Sequence, residues 1–152
     1  MVTRQKGEIS MNYILLISHG ELAPGLKSAC EMMTGPITEL LTVNLPEGIS
    51  TAVYEENFRK VIEVLDWAND QLIILTDIIG GSPFSKAVEV LSEKGVLDRC
   101  VILAGMNLAM AITAVLKKDL LSTEELINEV LAEGQSAVRQ FSAVVETESE
   151  EL

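Results

Sequence analysis

Two short polar clusters follow long apolar runs in this 152-residue chain and carry the groups capable of chemistry. The first is Ser18-His19-Gly20, closing the run YILLIS and containing the chain's one histidine. The second is Asp77, after QLIILT, followed by Gly80-Gly81-Ser82-Pro83. An aspartate that accepts a proton from one imidazole nitrogen fixes the tautomer and leaves the other nitrogen's lone pair exposed. It also stabilises the ring as positive charge develops. Gly80-Gly81-Ser82-Pro83 lets the backbone N–H groups of a helix start converge on one spot, where the positive end of the helix dipole favours phosphate. Glycine permits the close approach, and Ser82 or Ser85 adds a hydroxyl donor. Taken singly, each feature has a structural reading: a histidine at a strand end, an aspartate in a turn, a helix-entry turn. Taken together they describe phosphoryl transfer through a phosphohistidine, with His19 as nucleophile, Asp77 as its orienting group and Gly80, Gly81 and Ser82 as the phosphate cradle.

The two clusters must be brought together by the elements around them. Residues 13–18 and 71–76 read as continuous apolar strands buried on both faces, and residues 37–45 and 99–104 as two more. Between them lie helical patterns. Residues 24–33 precede a stop at Gly35, and Ser50 or Thr51 caps a helix reaching about Ala68. Pro83 opens a helix to about Lys94, ahead of Gly95, and Asn107 caps one through Lys118. Ser122 with Glu125 forms a capping box for a last helix to about Glu133, before Gly134. Residues 136–145 alternate weakly and predict a final strand. Strand–helix alternation implies a doubly wound α/β sheet, mainly parallel, of order 2-1-3-4 with helices on both faces. Ligands of such folds gather where the winding reverses, outside the carboxyl ends of strands 1 and 3. Both polar clusters fall there.

Composition narrows the field further. Lys+Arg 11 against Asp+Glu 23 gives a formal charge of −12, which argues against nucleic acid as a partner, since clustered cations drive phosphate-backbone binding. Cys30 and Cys100 form no CxxC and read as buried small hydrophobes in a reducing compartment. One histidine and two distant cysteines make a poor zinc set, so no metal is expected. No apolar run approaches the ~20 residues of a membrane span, and residues 1–10 lack a signal core, so the chain reads as cytoplasmic. Residues 1–10 read as a disordered or extended segment, 11–145 as the domain and 146–152 as an acidic tail. An ATP-binding P-loop is unsupported, for want of GxxxxGK[ST]. A receiver-like domain phosphorylated on Asp77 is an alternative, although it requires an acidic cluster after strand 1 to hold Mg²⁺, where this chain has Ser18-His19-Gly20.

Three stretches carry a family resemblance: Ile14-Leu-Leu-Ile-Ser-His19-Gly20, Thr76-Asp77-Ile-Ile-Gly80-Gly81-Ser82-Pro83-Phe84 and Gly105-Met-Asn107. They resemble the mannose-family enzyme IIA component of the bacterial phosphoenolpyruvate-dependent sugar phosphotransferase system (PTS), over about Met11 to Val145. The resemblance implies that the family's phosphorylated histidine, modified on Nε2, falls on His19 and its orienting aspartate on Asp77. It implies the phosphocarrier protein HPr as donor, and a IIB component as acceptor on the way to sugar at the IIC/IID membrane complex. Family members form homodimers that exchange a C-terminal strand, here residues 136–145. The position before the double glycine is tryptophan in some members and Ile79 here. The related dihydroxyacetone-kinase branch carries a shorter Asp-Leu-Gly-Ser motif, which the double glycine and Pro83 disfavour. Because a phosphohistidine donor is already energy-rich, the reaction needs no cofactor. A second reading of the same fold is a regulatory module that binds partners without transferring phosphate.

Overall fold

The computed structural model describes residues 10–144. Strand β1 (Asn12–His19) leads into helix α1 (Leu22–Thr34), and β2 (Leu40–Leu45) into α2 (Thr51–Ile62). Then come β3 (Gln71–Thr76), α3 (Ser82–Glu93), a 3₁₀ turn at Leu97–Arg99, β4 (Cys100–Ala104), α4 (Leu108–Lys117) and α5 (Thr123–Ser136). The four strands form one parallel sheet of order β2-β1-β3-β4, as the strand–helix alternation predicts.

Successive residues of β1 point to opposite faces, and each face is buried. Ile14 and Leu16 join Ile73, Leu75 and Leu103 beneath α1, α4 and α5. Tyr13, Leu15 and Ile17 join Leu72 and Ile74 beneath α2 and α3. Burial on both sides is why β1 and β3 read as unbroken apolar runs. Register sets the site: Ile17 lies beside Thr76 and His19 beside Leu45, so the strand ends of β1 and β3 are level and their next side chains share one rim.

The boundaries depart from expectation where side chains compete with the backbone. Helix α2 stops at Ile62, short of Ala68, because Asp66 and Asp70 fold residues 63–70 into turns. The Asp66 carboxylate accepts from the Ala68 N–H and the Asn69 amide, and Asp70 accepts from the Asp66 and Met11 N–H groups. Strand β2 starts at Leu40, since residues 37–39 form the turn that closes the Leu40 N–H onto the Ile37 carbonyl. Gly134 does not end the last helix. It lies buried inside α5, where a Cβ would collide with Met110, and its carbonyl accepts from the Asn107 amide at 3.2 Å. Glycine there serves the close approach of α5 to α4.

The final strand expected over residues 136–145 does not form within the single chain. Residues up to Ser136 are helical, and 137–144 form no strand among the described residues, leaving Val138, Phe141 and Val144 exposed. A strand needs a neighbour to pair with, and among the described residues this segment pairs with none. Residues 1–9 and 145–152, which include the acidic tail, lie outside the described residues. Of the cysteines, Cys30 is buried and Cys100 half-buried, both as free thiols. Burial pushes both thiols up, Cys100 to about 11.

Candidate functional site

His19 is the last residue of β1 and stands at the carboxyl edge of the sheet with 47% of its side chain exposed. Its backbone is tied on both sides. The His19 N–H donates to Asp77 Oδ2 at 2.9 Å, and the Gly20 N–H donates to the Leu45 carbonyl at 2.8 Å. Gly20 turns the chain with φ 56°, and the Asn44 amide holds its carbonyl at 2.7 Å. Beneath the turn, buried Ser18 accepts from the Ala23 N–H at 2.8 Å, stitching the start of α1 to the strand end.

Asp77 follows β3 directly, and its side chain is 13% exposed. One carboxylate oxygen, Oδ2, takes both the His19 N–H and the imidazole Nδ1, the latter at 2.8 Å. The other, Oδ1, accepts from the Ile78 N–H at 2.8 Å, with the Thr76 hydroxyl at 3.3 Å. Burial works to raise the Asp77 pKa. It is outweighed by the hydrogen bonds from the His19 backbone, the His19 ring and the Ile78 N–H, and then by the His19 charge, so the carboxyl stays below the ordinary aspartate range. An ionised carboxylate only accepts. In the neutral ring Nδ1 therefore carries the proton and donates, and Nε2 keeps its lone pair.

The third wall is the entry to α3. Gly80 takes φ 93°, a left-handed conformation that favours glycine, and bends the chain so that Gly81 lies against the ring. A Cβ on Gly81 would stand 2.5 Å from His19 Cε1 and 3.0 Å from Nε2. Only a residue without a side chain lets the imidazole edge rest there. Gly81 is also the N-cap of α3, and no side chain caps this helix, whereas Ser50, Asn107 and Ser122 cap α2, α4 and α5. The first-turn N–H groups, with Ser82 at the first position, are thus not taken up by the helix's own N-cap residue. Gly81, from which that turn starts, lies beside the Nε2 edge. Ser85 sits deeper, and its N–H is spent on the Gly81 carbonyl.

The structure therefore brings His19, Asp77 and Gly81 into contact, with Gly80 shaping the approach and Ser82 opening the helix. The sequence reading gave three contributors no role at the site, although two of them stand in the stretch Gly105-Met-Asn107. Gly105 and Met106, after β4, donate their N–H groups to the carbonyls of Asp77 and Thr76, each at 3.0 Å, and so lock the backbone that carries the carboxylate. Gly105 has φ 79° to make that turn. Tyr54 of α2 is fully buried and donates its hydroxyl to the Pro83 carbonyl at 2.9 Å. Its signal was a phenol four residues before Phe58 on an apolar helix face, since a buried tyrosine hydroxyl requires a partner. Close in sequence to His19 and Asp77, the apolar Leu22, Ile78 and Ile79 are exposed. Among the described residues no group of three or more His, Cys, Asp or Glu gathers to hold a metal ion, and no helix is long and apolar enough to cross a membrane.

Comparison with known proteins gives a consistent result. A family model, EIIA-man, described as PTS system fructose IIA component, matches residues 13–131. The PTS system fructose-specific EIIA component of Bacillus subtilis is 23% identical over 133 residues, 88% of each chain. The solved structure of a PTS IIA protein associated with the fucose utilization operon of Streptococcus pneumoniae is 27% identical. It superposes with TM-score 0.72 over 85% of this chain and 92% of that one. A mannose/sorbose-specific IIA subunit from Enterococcus faecalis is 25% identical, with TM-score 0.71 over 90% and 98% of the two chains.

Proposed function

The chain belongs to the EIIA-man family of PTS IIA components, a family of phosphoryl carriers, and on that premise we propose that His19 is the residue that carries the phosphoryl group. The donor is phospho-HPr and the acceptor a IIB component, which passes phosphate on to sugar at a IIC/IID membrane complex. The observation that supports this most is the 2.8 Å Nδ1···Oδ2 pair, which leaves Nε2 as the free lone pair beside the uncapped start of α3.

The lone pair of Nε2 attacks the phosphorus held on the donor's histidine. The donor's P–N bond breaks as the P–Nε2 bond forms, and the departing electron pair returns to the donor ring. The Nδ1 proton stays in its hydrogen bond, where the Asp77 carboxylate balances the charge gained by the His19 ring. Equatorial oxygens of the moving PO₃ unit face the N–H groups near Gly81 and Ser82, which stabilise their charge without reorganising. Transfer to the IIB component reverses these steps. The exposed ring edge and the exposed apolar side chains close to it in sequence suit a site used by two protein partners in turn. All of this belongs in the cytoplasm, where phospho-HPr is made.

Phosphorylation of Asp77 itself is the weaker reading, since both its oxygens are occupied by donors from His19, Ile78 and Thr76. In a homodimer, the exposed residues of segment 137–144 acquire a covering partner; the support is the exposure of Val138, Phe141 and Val144 together with the open outer edge of β4.

The test is phosphate uptake from phospho-HPr followed by ³¹P NMR. The expected outcome is one acid-labile phosphoimidazole on Nε2 in the wild-type chain and none in His19→Ala. Acid-stable label, or label that survives His19→Ala, refutes the proposal.

A further inference from the structure

His19 rests its Nε2 edge on Gly81, so the position of the first turn of α3 decides where the ring can sit. That turn lacks two of the usual anchors. Its N-cap is a glycine with no side-chain oxygen to bind the helix, and Pro83 has no N–H to donate. Among the described residues, one side-chain hydroxyl bonds its backbone from outside the helix. Tyr54, in the first turn of α2, donates to the Pro83 carbonyl at 2.9 Å, two residues from Gly81. A carbonyl has two lone pairs, so Pro83 accepts this bond alongside its helical one. The Tyr54 ring is fully buried and braced by Phe58, with ring centroids 6.3 Å apart, which leaves the hydroxyl little freedom to wander. Burial, and secondarily the negative charge of nearby Asp77, hold the phenol well above the ordinary tyrosine range, so it stays protonated and donating.

We propose that Tyr54 is a positioning residue for phosphoryl transfer: its hydroxyl tethers the Pro83 carbonyl and thereby keeps Gly81 at the distance that aims His19 Nε2 at its partner's phosphorus. The proposal rests on the carrier reading for its kinetic consequence, but its geometric core concerns the free protein. Tyr54→Phe removes one oxygen and keeps the buried ring.

The test uses the full chain labelled with ¹⁵N-histidine, whose single histidine gives one pair of ring resonances. In Tyr54→Phe those resonances are expected to move. The kcat for phosphate uptake from phospho-HPr should fall by about tenfold, as expected for a nucleophile displaced by a fraction of an ångström. KM for phospho-HPr should change little, because the exposed rim is untouched. Ile62→Val, at the far end of α2 from Tyr54 and buried in the same core, is the packing control. It loosens the same helix but keeps the tether, so it should melt earlier with resonances and kcat near wild type. Unmoved ring resonances in Tyr54→Phe overturn the proposal, as does an equal loss of kcat in Ile62→Val. If the wild type itself takes no phosphate from phospho-HPr, the carrier reading fails, while the resonances of the free chain still decide the tether.

Discussion

Gly81→Ala is the sharpest perturbation the site offers, because it adds one methyl group at a point where the structure has no room. The new Cβ would stand 2.5 Å from His19 Cε1, where ordinary contact begins near 3.4 Å, so ring and helix must part by about 0.9 Å. The backbone itself is at ease with alanine: Gly81 has φ −82° and ψ 169°, an extended conformation open to any residue. Loss of a glycine N-cap costs about 1 kcal/mol, and the reduced freedom of the unfolded chain returns ~0.4–1 kcal/mol. Net stability should therefore change by no more than ~1 kcal/mol, a Tm shift of about 2–4 °C in a chain this size. Transfer is another matter. A ring displaced by nearly an ångström loses either the 2.8 Å bond to Asp77 or its alignment with the donor, and misplacement on that scale costs on the order of 100-fold in rate. Rapid-quench measurement of phosphate uptake from phospho-HPr, beside a thermal melt, separates the two effects. An alanine variant that folds and accepts phosphate at the wild-type rate would refute the claim that the bare Gly81 surface sets the imidazole.

Asp77→Asn should fold yet transfer phosphate on the order of 100-fold more slowly, because an amide has a single oxygen and cannot accept from His19, Ile78 and Thr76 as the carboxylate does; stopped uptake assays check this. The folded Asp77 pKa lies below its unfolded value, so its stabilisation is full above the ordinary aspartate range and fades as pH falls through the folded value. Urea midpoints at pH 6 and pH 3 should accordingly differ less in Asp77→Asn than in wild type. At the opposite end of the sheet, Lys118 is 5% exposed and donates to Asp119 at 2.8 Å and Glu39 at 3.1 Å. Burial lowers its pKa, but these two carboxylates prevail and raise it, so its contribution persists below the ordinary lysine value and disappears as pH rises through the folded one. Lys118→Met should cost about 2 kcal/mol in urea unfolding at neutral pH and leave transfer untouched. Deleting the chain after Ala137 should shift sedimentation toward monomer, and a truncated chain that sediments as a stable dimer would remove residues 137–144 from the interface.

Local physics accounts for what the sequence reading reached. Strands buried on both faces must be apolar throughout, so β1 and β3 stand out as runs, and parallel strands joined by single helices leave few topologies, of which 2-1-3-4 formed. The same order places whatever follows β1 and β3 on one rim, which is why His19 and Asp77 were legible as a pair before any distance was known. Glycine was ambiguous for the opposite reason, since its meaning depends on what lies across from it. Gly134 looks like a helix stop and is an inter-helix contact; Gly81 reads in the sequence as part of a phosphate cradle, and its contact with the imidazole edge appears only in the fold. Likewise the Tyr54 hydroxyl and the Gly105 and Met106 N–H groups reach the site from α2 and from the loop after β4, 23 and 28 residues from Asp77 at the nearest. Sequence by itself determined the strand order and the pairing of His19 with Asp77 on one rim, because residue type and strand-end position are local properties. Which nitrogen is free, how closely the helix start approaches it and what keeps that start in place were decided only by tertiary packing, because each is a contact between segments that the chain order leaves apart.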